Sequence, residues 1–180
     1  MFKSWKRNAL KAEISELLIK GTTIDIFAAK LAEITNAGLD ENEYAYAKRF
    51  GRSLKSPDDV IAFHKAMQAA KAMYAYYLTL SVAQGYWQAA GVKTAKEAIA
   101  LCPYMQLEDA KDLVKQALPH LTERDDILEF ACRLRYPEAL MVLAIGLGYV
   151  PINSFDEAVT KHRLELAEEE ERRRRNESGF

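Results

Sequence analysis

The chain has 180 residues, of which 49% are hydrophobic and 28% are charged, and its formal net charge at pH 7 is −1. These proportions are typical of a globular protein with a sizeable core and exclude an intrinsically disordered chain. The near-neutral charge argues against a globally basic nucleic-acid-binding protein, although it does not exclude a local basic patch.

The first half of the chain is predicted to form four helices, because capping residues and glycines stand at the segment boundaries. No stretch alternates with the period of two that a strand requires. The clearest start is Ser56-Pro57-Asp58-Asp59, with an N-cap serine, a proline at the first helical position and acids in the first turn. The predicted helices are 4–20, 24–36, 41–50 and 57–84.

The long central helix 57–84, ending at Gly85, is the main architectural prediction. It contains most of the stretch 72–92, which has no charged side chain and is long enough to span a bilayer. Tyrosine, threonine, serine and glutamine dilute the apolar residues of this stretch, which is untypical of a membrane span. We interpret it as a helix wrapped by a soluble bundle, and the three-then-four spacing of its apolar residues predicts that Tyr74, Tyr77 and Leu78 are buried.

The second half is predicted to consist of shorter helices, three of them started by Thr94, Thr122 and Ser154 as N-caps. The predicted segments are 95–101, 107–118, 123–135, 138–147 and 155–175. The apolar run 139–145 is too short to cross a bilayer, and we interpret it as a buried core helix rather than a partner-binding or membrane-dipping element.

We therefore expect a single all-α, bundle-like domain over residues 1–167, followed by a charged helical arm and tail over 168–180. The arm contains Glu168-Glu169-Glu170-Glu171 followed by four arginines. On a helix each glutamate meets the arginine four residues later, and each such pair contributes roughly 0.2–0.5 kcal/mol. The last helix should therefore project into solvent without a packed face beneath its end.

The candidate partner-binding residues are aromatic or belong to the arm, because tyrosine, tryptophan and arginine are the preferred anchors at protein contacts. They are Trp5, Tyr76, Tyr86, Trp87, Arg172, Arg173, Arg174 and Arg175. A stacking platform for nucleic-acid bases is less well supported, because no lysine or arginine lies between Lys71 and Lys93.

No metal, cofactor or catalytic motif is predicted, because the three histidines lie far apart and outside metal-ligand spacing. The segment Asp125-Asp126-Ile127-Leu128-Glu129 resembles the acidic Mg²⁺ motif of isoprenoid enzymes, in which paired carboxylates hold diphosphate through the metal. Acids just after a helix start also complement the helix dipole, and we favour this explanation.

The two cysteines, Cys102 and Cys132, stand beside apolar residues, which favours reduced thiols and a reducing compartment. Charged residues interrupt the N-terminal segment where a signal peptide would be apolar, so we expect a cytoplasmic protein. The leading hypothesis is a non-enzymatic interaction protein: an adaptor, a small assembly subunit or a regulatory binder of another protein or of itself.

Two alternatives remain open at this stage. One is a nucleic-acid-associated helical subunit that uses the arginines of the arm together with Lys3, Lys6, Arg7 and Lys11. The other is a Mg²⁺-dependent phosphate enzyme built on Asp125, Asp126 and Glu129.

Overall fold

The computed structural model describes residues 2–38, 40–149 and 153–177, and within these ranges the side chains of residues 7–175. These residues form ten α-helices, two short 3₁₀ turns and no strand, which confirms the all-α prediction. None of the described helices combines the length and apolarity that a membrane span needs.

The α-helices are α1 (Phe2–Lys20), α2 (Ile24–Asn36), α3 (Glu41–Gly51), α4 (Pro57–Ala69), α5 (Ala75–Ala90), α6 (Ala95–Leu101), α7 (Leu107–Ala117), α8 (Arg124–Arg133), α9 (Pro137–Gly146) and α10 (Asn153–Glu177). The 3₁₀ turns are Cys102–Tyr104 and Leu118–His120.

The starts of α2, α3, α4 and α6 follow the predicted capping pattern. The side-chain oxygens of Thr23, Ser56 and Thr94 accept hydrogen bonds from backbone N–H groups of the first turns that follow them. Asp40 and Ser56 each form a capping box, in which the acid three residues later accepts from the N-cap N–H. Local chemistry therefore determines these helix boundaries.

Two predicted caps are wrong. The helix α8 begins at Arg124, with Glu123 at its N-cap position and no side-chain cap, so Thr122 does not start it. Asp125 and Asp126 lie in its first turn, where their charges favour the helix start without a hydroxyl cap. The helix α10 begins at Asn153, so Ser154 lies inside its first turn.

The predicted long helix 57–84 is also wrong, because it is two helices, α4 and α5, separated by a turn. Lys71 occupies this turn with φ = 53°, a left-handed conformation that a right-handed helix cannot contain. The Asn36 side chain holds the turn: its Oδ1 accepts from the N–H of Met73 at 3.1 Å, and its Nδ2 donates to the carbonyl of Lys71 at 3.5 Å. The helix break is thus stabilised by a residue distant in sequence.

We expect Lys71→Gly to stabilise the chain by about 1 kcal/mol, because glycine adopts positive φ without the Cβ clash. Lys65→Gly is the matched control, since this exposed residue lies within α4, where glycine costs about 1 kcal/mol. Urea unfolding of both variants should give changes of opposite sign. A loss of stability in Lys71→Gly would contradict the left-handed turn.

The chain forms two compact units. The first contains α1–α5 and residues 104–106, and the second contains α6–α10. In the first unit, Phe27, Phe50 and Phe63 from three successive helices pack together, with the first two rings stacked at 4.0 Å between centroids. The single domain over 1–167 stays a prediction, as does the boundary of the arm at 168.

The helices α3 and α5 approach each other through two glycines. A Cβ atom on Gly51 would lie 2.0 Å from the carbonyl oxygen of Val82, and a Cβ atom on Gly85 would lie 2.0 Å from that of Lys48. Each helix thus presents a glycine to the backbone of the other, with no side chain between them. The sequence predicts that a helix ends at Gly85. Gly85 instead lies within α5.

We expect Gly51→Ala and Gly85→Ala each to destabilise the chain by about 3 kcal/mol, because the added methyl group would overlap a backbone carbonyl. In most helices the same change stabilises by about 1 kcal/mol. Gly146→Ala is the control, because the atoms nearest to its Cβ would belong to the flexible side chain of Leu118 and not to backbone. Similar thermal unfolding of all three variants would show that α3 and α5 do not meet through their backbones.

The helix α9 is more exposed than its composition predicts. Ala139, Leu143 and Ala144 are buried, but Met141 is 47% exposed and Ile145 is 60% exposed. The prediction of a buried core helix is therefore wrong for this side of α9, because the other helices of the chain cover a single stripe of it.

The C-terminal helix extends into solvent as predicted. Among the described side chains of α10, only Phe155 and Val159 are buried, and every one from 163 to 175 is exposed. The helix nevertheless continues to Glu177.

Candidate partner-binding surface

Six partly exposed aromatic side chains form a chain of neighbours in the first unit. We call this group the aromatic strip; its members are Tyr44, His64, Tyr74, Tyr76, Tyr77 and Tyr104. The ring centroids of His64 and Tyr104 are 5.4 Å apart, and those of His64 and Tyr76 are 6.3 Å apart. Tyr77 follows Tyr76 at 6.0 Å. The strip therefore combines three helices and a 3₁₀ turn.

The most exposed side chains at the strip lie just before α5 and in its first turn. Tyr77 is 59% exposed, and the neighbouring Met73 is 72% exposed. Tyr74 is half-buried, whereas Leu78 is fully buried. The prediction is thus confirmed for Leu78 and wrong for Tyr77, because the turn at Lys71 interrupts the helix and changes which side of α5 faces the core.

His64 is fixed within the strip by a hydrogen bond to Thr79. Its Nδ1 lies 3.0 Å from Thr79 Oγ1, and the Thr79 hydroxyl donates to the carbonyl of Ala75 at 2.7 Å. Because a hydroxyl has one proton, Nδ1 of His64 must be the donor to Thr79. Burial lowers the pKa of His64, which favours the neutral ring.

Tyr44, at the other end of the strip, is neutral as well. Burial raises the pKa of Tyr44, and the nearby phenols of Tyr74 and Tyr77 raise it further. No member of the strip is an aspartate, a glutamate, a lysine or an arginine. An uncharged surface loses less hydration free energy than a charged one when a partner covers it.

The structure separates the aromatic residues that the sequence groups together. Tyr76 lies in the strip, but Tyr86 is 4% exposed and Trp87 is 9% exposed, so both pack in the interior. The indole Nε1–H of Trp87 has no hydrogen-bond acceptor among the described residues. The side chain of Trp5 lies outside the described residues.

Sequence reasoning missed four contributors to this surface: Tyr44, His64, Met73 and Tyr104. They lie in four segments, and their proximity depends on the packing of α3, α4 and α5. No spacing in the sequence indicates this proximity. The absence of charge between Lys71 and Lys93 and the aromatic side chain of Tyr76 pointed to this part of the chain.

Three of the four predicted glutamate–arginine pairs of the arm are present, and that of Arg172 with the Glu168 carboxylate is not among them. Arg173, Arg174 and Arg175 lie 2.6, 3.9 and 2.9 Å from the glutamates four residues before them. The Nε of Arg172 donates to the backbone carbonyl of Glu168 at 3.5 Å. These internal pairs nearly cancel the local charge and weaken attraction to phosphates.

Two basic residues of α1 are also engaged within the chain. Arg7 donates to Glu43 at 3.2 Å and lies 3.1 Å from Asp40, and Lys11 donates to Asp40 at 2.7 Å. Glu43 is fully buried, and burial raises its pKa. The side-chain hydrogen bond with Glu43, followed by that from Lys11, lowers the pKa of Asp40. The cluster thus ties α1 to α3 rather than presenting free cations.

The acidic segment of α8 gives no support to a metal site. Glu129 accepts a hydrogen bond from Arg133 at 2.7 Å, one turn along the same helix. Within residues 2–38, 40–149 and 153–177, no group of three histidine, cysteine or acidic side chains is placed to hold a metal ion.

Comparisons with protein-family models, with curated proteins and with solved structures find no match to this chain. Its function must therefore be inferred from its own surfaces.

We expect His64→Asn to reduce the acid sensitivity of the fold. The pKa of His64 is lower in the folded chain than in the unfolded chain, so its contribution to stability is present above about pH 6.5 and is lost as pH falls. Asparagine can still donate to Thr79 but does not bind a proton. Between about pH 8 and pH 5.5, the free energy of unfolding should fall less steeply in the variant than in the wild type. Equal slopes would contradict this role of His64.

Proposed function

We propose that this chain is a non-enzymatic protein-interaction protein, of the adaptor, assembly-subunit or regulatory-binder type, and that its aromatic strip binds another protein. The main support is the exposure of two side chains at one end of the aromatic strip, Tyr77 and the neighbouring Met73. The strip itself contains no acidic side chain, lysine or arginine. Tyrosine and methionine are enriched in the centres of protein interfaces, and charged residues are depleted there.

The local structure also favours binding. Asn36 holds the backbone on both sides of Ala72 through its two hydrogen bonds, so the backbone beneath Met73 is ordered before a partner arrives. Binding then costs less conformational entropy than it would on a flexible loop. Since Met73 protrudes, the partner surface should contain an apolar pocket that receives it.

Both cysteines are free thiols, and burial raises the pKa of Cys102, which makes its reactive thiolate scarce. Free thiols are typical of a reducing compartment, which supports the proposal that the protein acts in the cytoplasm.

The test compares two double variants of the first unit. Met73→Ala/Tyr77→Ala removes the exposed end of the strip. Ile19→Ala/Ile26→Ala removes two side chains of matched exposure, 74% and 52%, outside the strip. We expect both to keep the wild-type stability within about 0.5 kcal/mol, because the substitutions are at the surface.

The proteins that each variant captures from native lysate are then identified by mass spectrometry and compared with those that the wild type captures. At least one partner that binds the wild type directly should lose affinity by about tenfold or more in Met73→Ala/Tyr77→Ala, and keep it in Ile19→Ala/Ile26→Ala. Retention of every direct partner by the strip variant would overturn the proposal. Salt-dependent binding to heparin that requires Arg172–Arg175 would instead favour the nucleic-acid alternative.

A further inference from the structure

A groove of about 410 Å³ lies between α9 and α10 in the second unit. The α9 side of this groove is apolar and contains Leu140 and Met141. The α10 side contains Asp156, Val159, Thr160 and Arg163. The groove therefore has an apolar wall opposite a wall that has a charge of each sign.

The apolar wall continues along an unusually exposed helix face. After Glu138, α9 has no charged residue, and Met141 is followed one turn later by Ile145, which is 60% exposed. A surface helix of a soluble protein ordinarily directs its apolar side chains to the core and its polar ones to water. Exposed apolar faces of this kind mark sites of contact with another molecule.

The two charges of the groove are unpaired within the described part of the chain. Asp156 has no ion pair or hydrogen bond among the described residues. The Arg163 guanidinium meets only neutral groups there, the carbonyl of Ala131 at 3.5 Å and the thiol of Cys132, and no carboxylate. Asp156 and Arg163 are seven residues apart, about two helical turns, so both lie on the same side of α10. The midpoint between them falls between Val159 and Thr160.

This arrangement is complementary to itself. When a second α10 is turned by 180° and laid antiparallel about the midpoint, Asp156 of each copy faces Arg163 of the other. The same rotation brings the apolar walls of the two copies towards each other. A two-fold axis generates such reciprocal contacts, and two-fold dimers are the commonest protein oligomers.

We propose that the α9–α10 groove is the interface of a homodimer, in which the two α10 helices run antiparallel and form two Asp156–Arg163 ion pairs. A second copy explains both signs of charge at equal distances from the midpoint of the α10 wall. An anionic membrane surface would match Arg163 but would repel Asp156. No residue of this interface belongs to the aromatic strip, and the dimer does not depend on the proposed function.

The test is a reciprocal charge reversal monitored by analytical ultracentrifugation. Asp156→Lys and Arg163→Glu each place two pairs of like charges across the interface, so each variant should weaken dimerisation by at least about tenfold. An equimolar mixture of the two variants should restore the dimer, because every ion pair is then of opposite charge. The double variant Asp156→Lys/Arg163→Glu should also dimerise by itself.

Glu157→Lys and Lys161→Glu are the matched controls, since both reverse an exposed charge of α10 outside the groove. Both should remain dimeric, and circular dichroism should show the wild-type helix content in every variant. A wild type that is monomeric up to high micromolar concentration would overturn the proposal. Dimers that survive either single reversal in the groove would place the interface elsewhere and would overturn it as well. Met73→Ala/Tyr77→Ala should remain dimeric, so failure of this proposal and failure of the strip are distinguishable.

Discussion

The backbone contact between α3 and α5 is the constraint on which the aromatic strip depends. Gly51 and Gly85 let each helix touch a carbonyl of the other, and the polarised Cα–H groups of glycine can contribute weak hydrogen bonds there. The short turns on either side of α4 make α3 and α5 run in the same direction. Tyr44 precedes Gly51 by two turns, and Tyr77 precedes Gly85 by slightly more than two. The glycine contact therefore brings these two tyrosines to the same level.

The all-α fold is encoded locally, but the exposure of the strip is not. Thr23, Asp40 and Ser56 identify their helix starts by chemistry that a reader can see in the sequence. The break at Lys71 has no such signal, because residues 70–74 contain neither glycine nor proline. It depends on Asn36, whose side chain reaches the turn only after α2 has packed. The spacing of the apolar residues alone therefore predicts a helix that continues through the turn. It also wrongly predicts that Tyr77 is buried.

Some charged side chains of this protein pair within the chain, whereas the two charges of the α9–α10 groove do not. Arg7 and Lys11 meet acids of the same chain, and the arginines of the arm meet glutamates one turn away, so these groups are satisfied without a partner. Asp156 and Arg163 have the opposite signs that would let them pair, but their spacing on one helix face prevents it. Charges that cannot pair within a chain but can pair between two copies provide specificity for self-association more than they provide affinity. The apolar wall of α9 must then supply most of the free energy.

Dimerisation through the second unit would change what the strip can do. Each dimer would present two aromatic strips, one from each copy, without any change in the strip itself. A partner with two binding sites would then bind the second strip intramolecularly, at an effective concentration that is commonly in the millimolar range for short connections. The overall affinity would exceed that of a single strip even though no new contact is made. An interaction protein of modest surface area can reach useful affinity in this way, because the strip has to supply only the affinity of one site and the dimer supplies the rest.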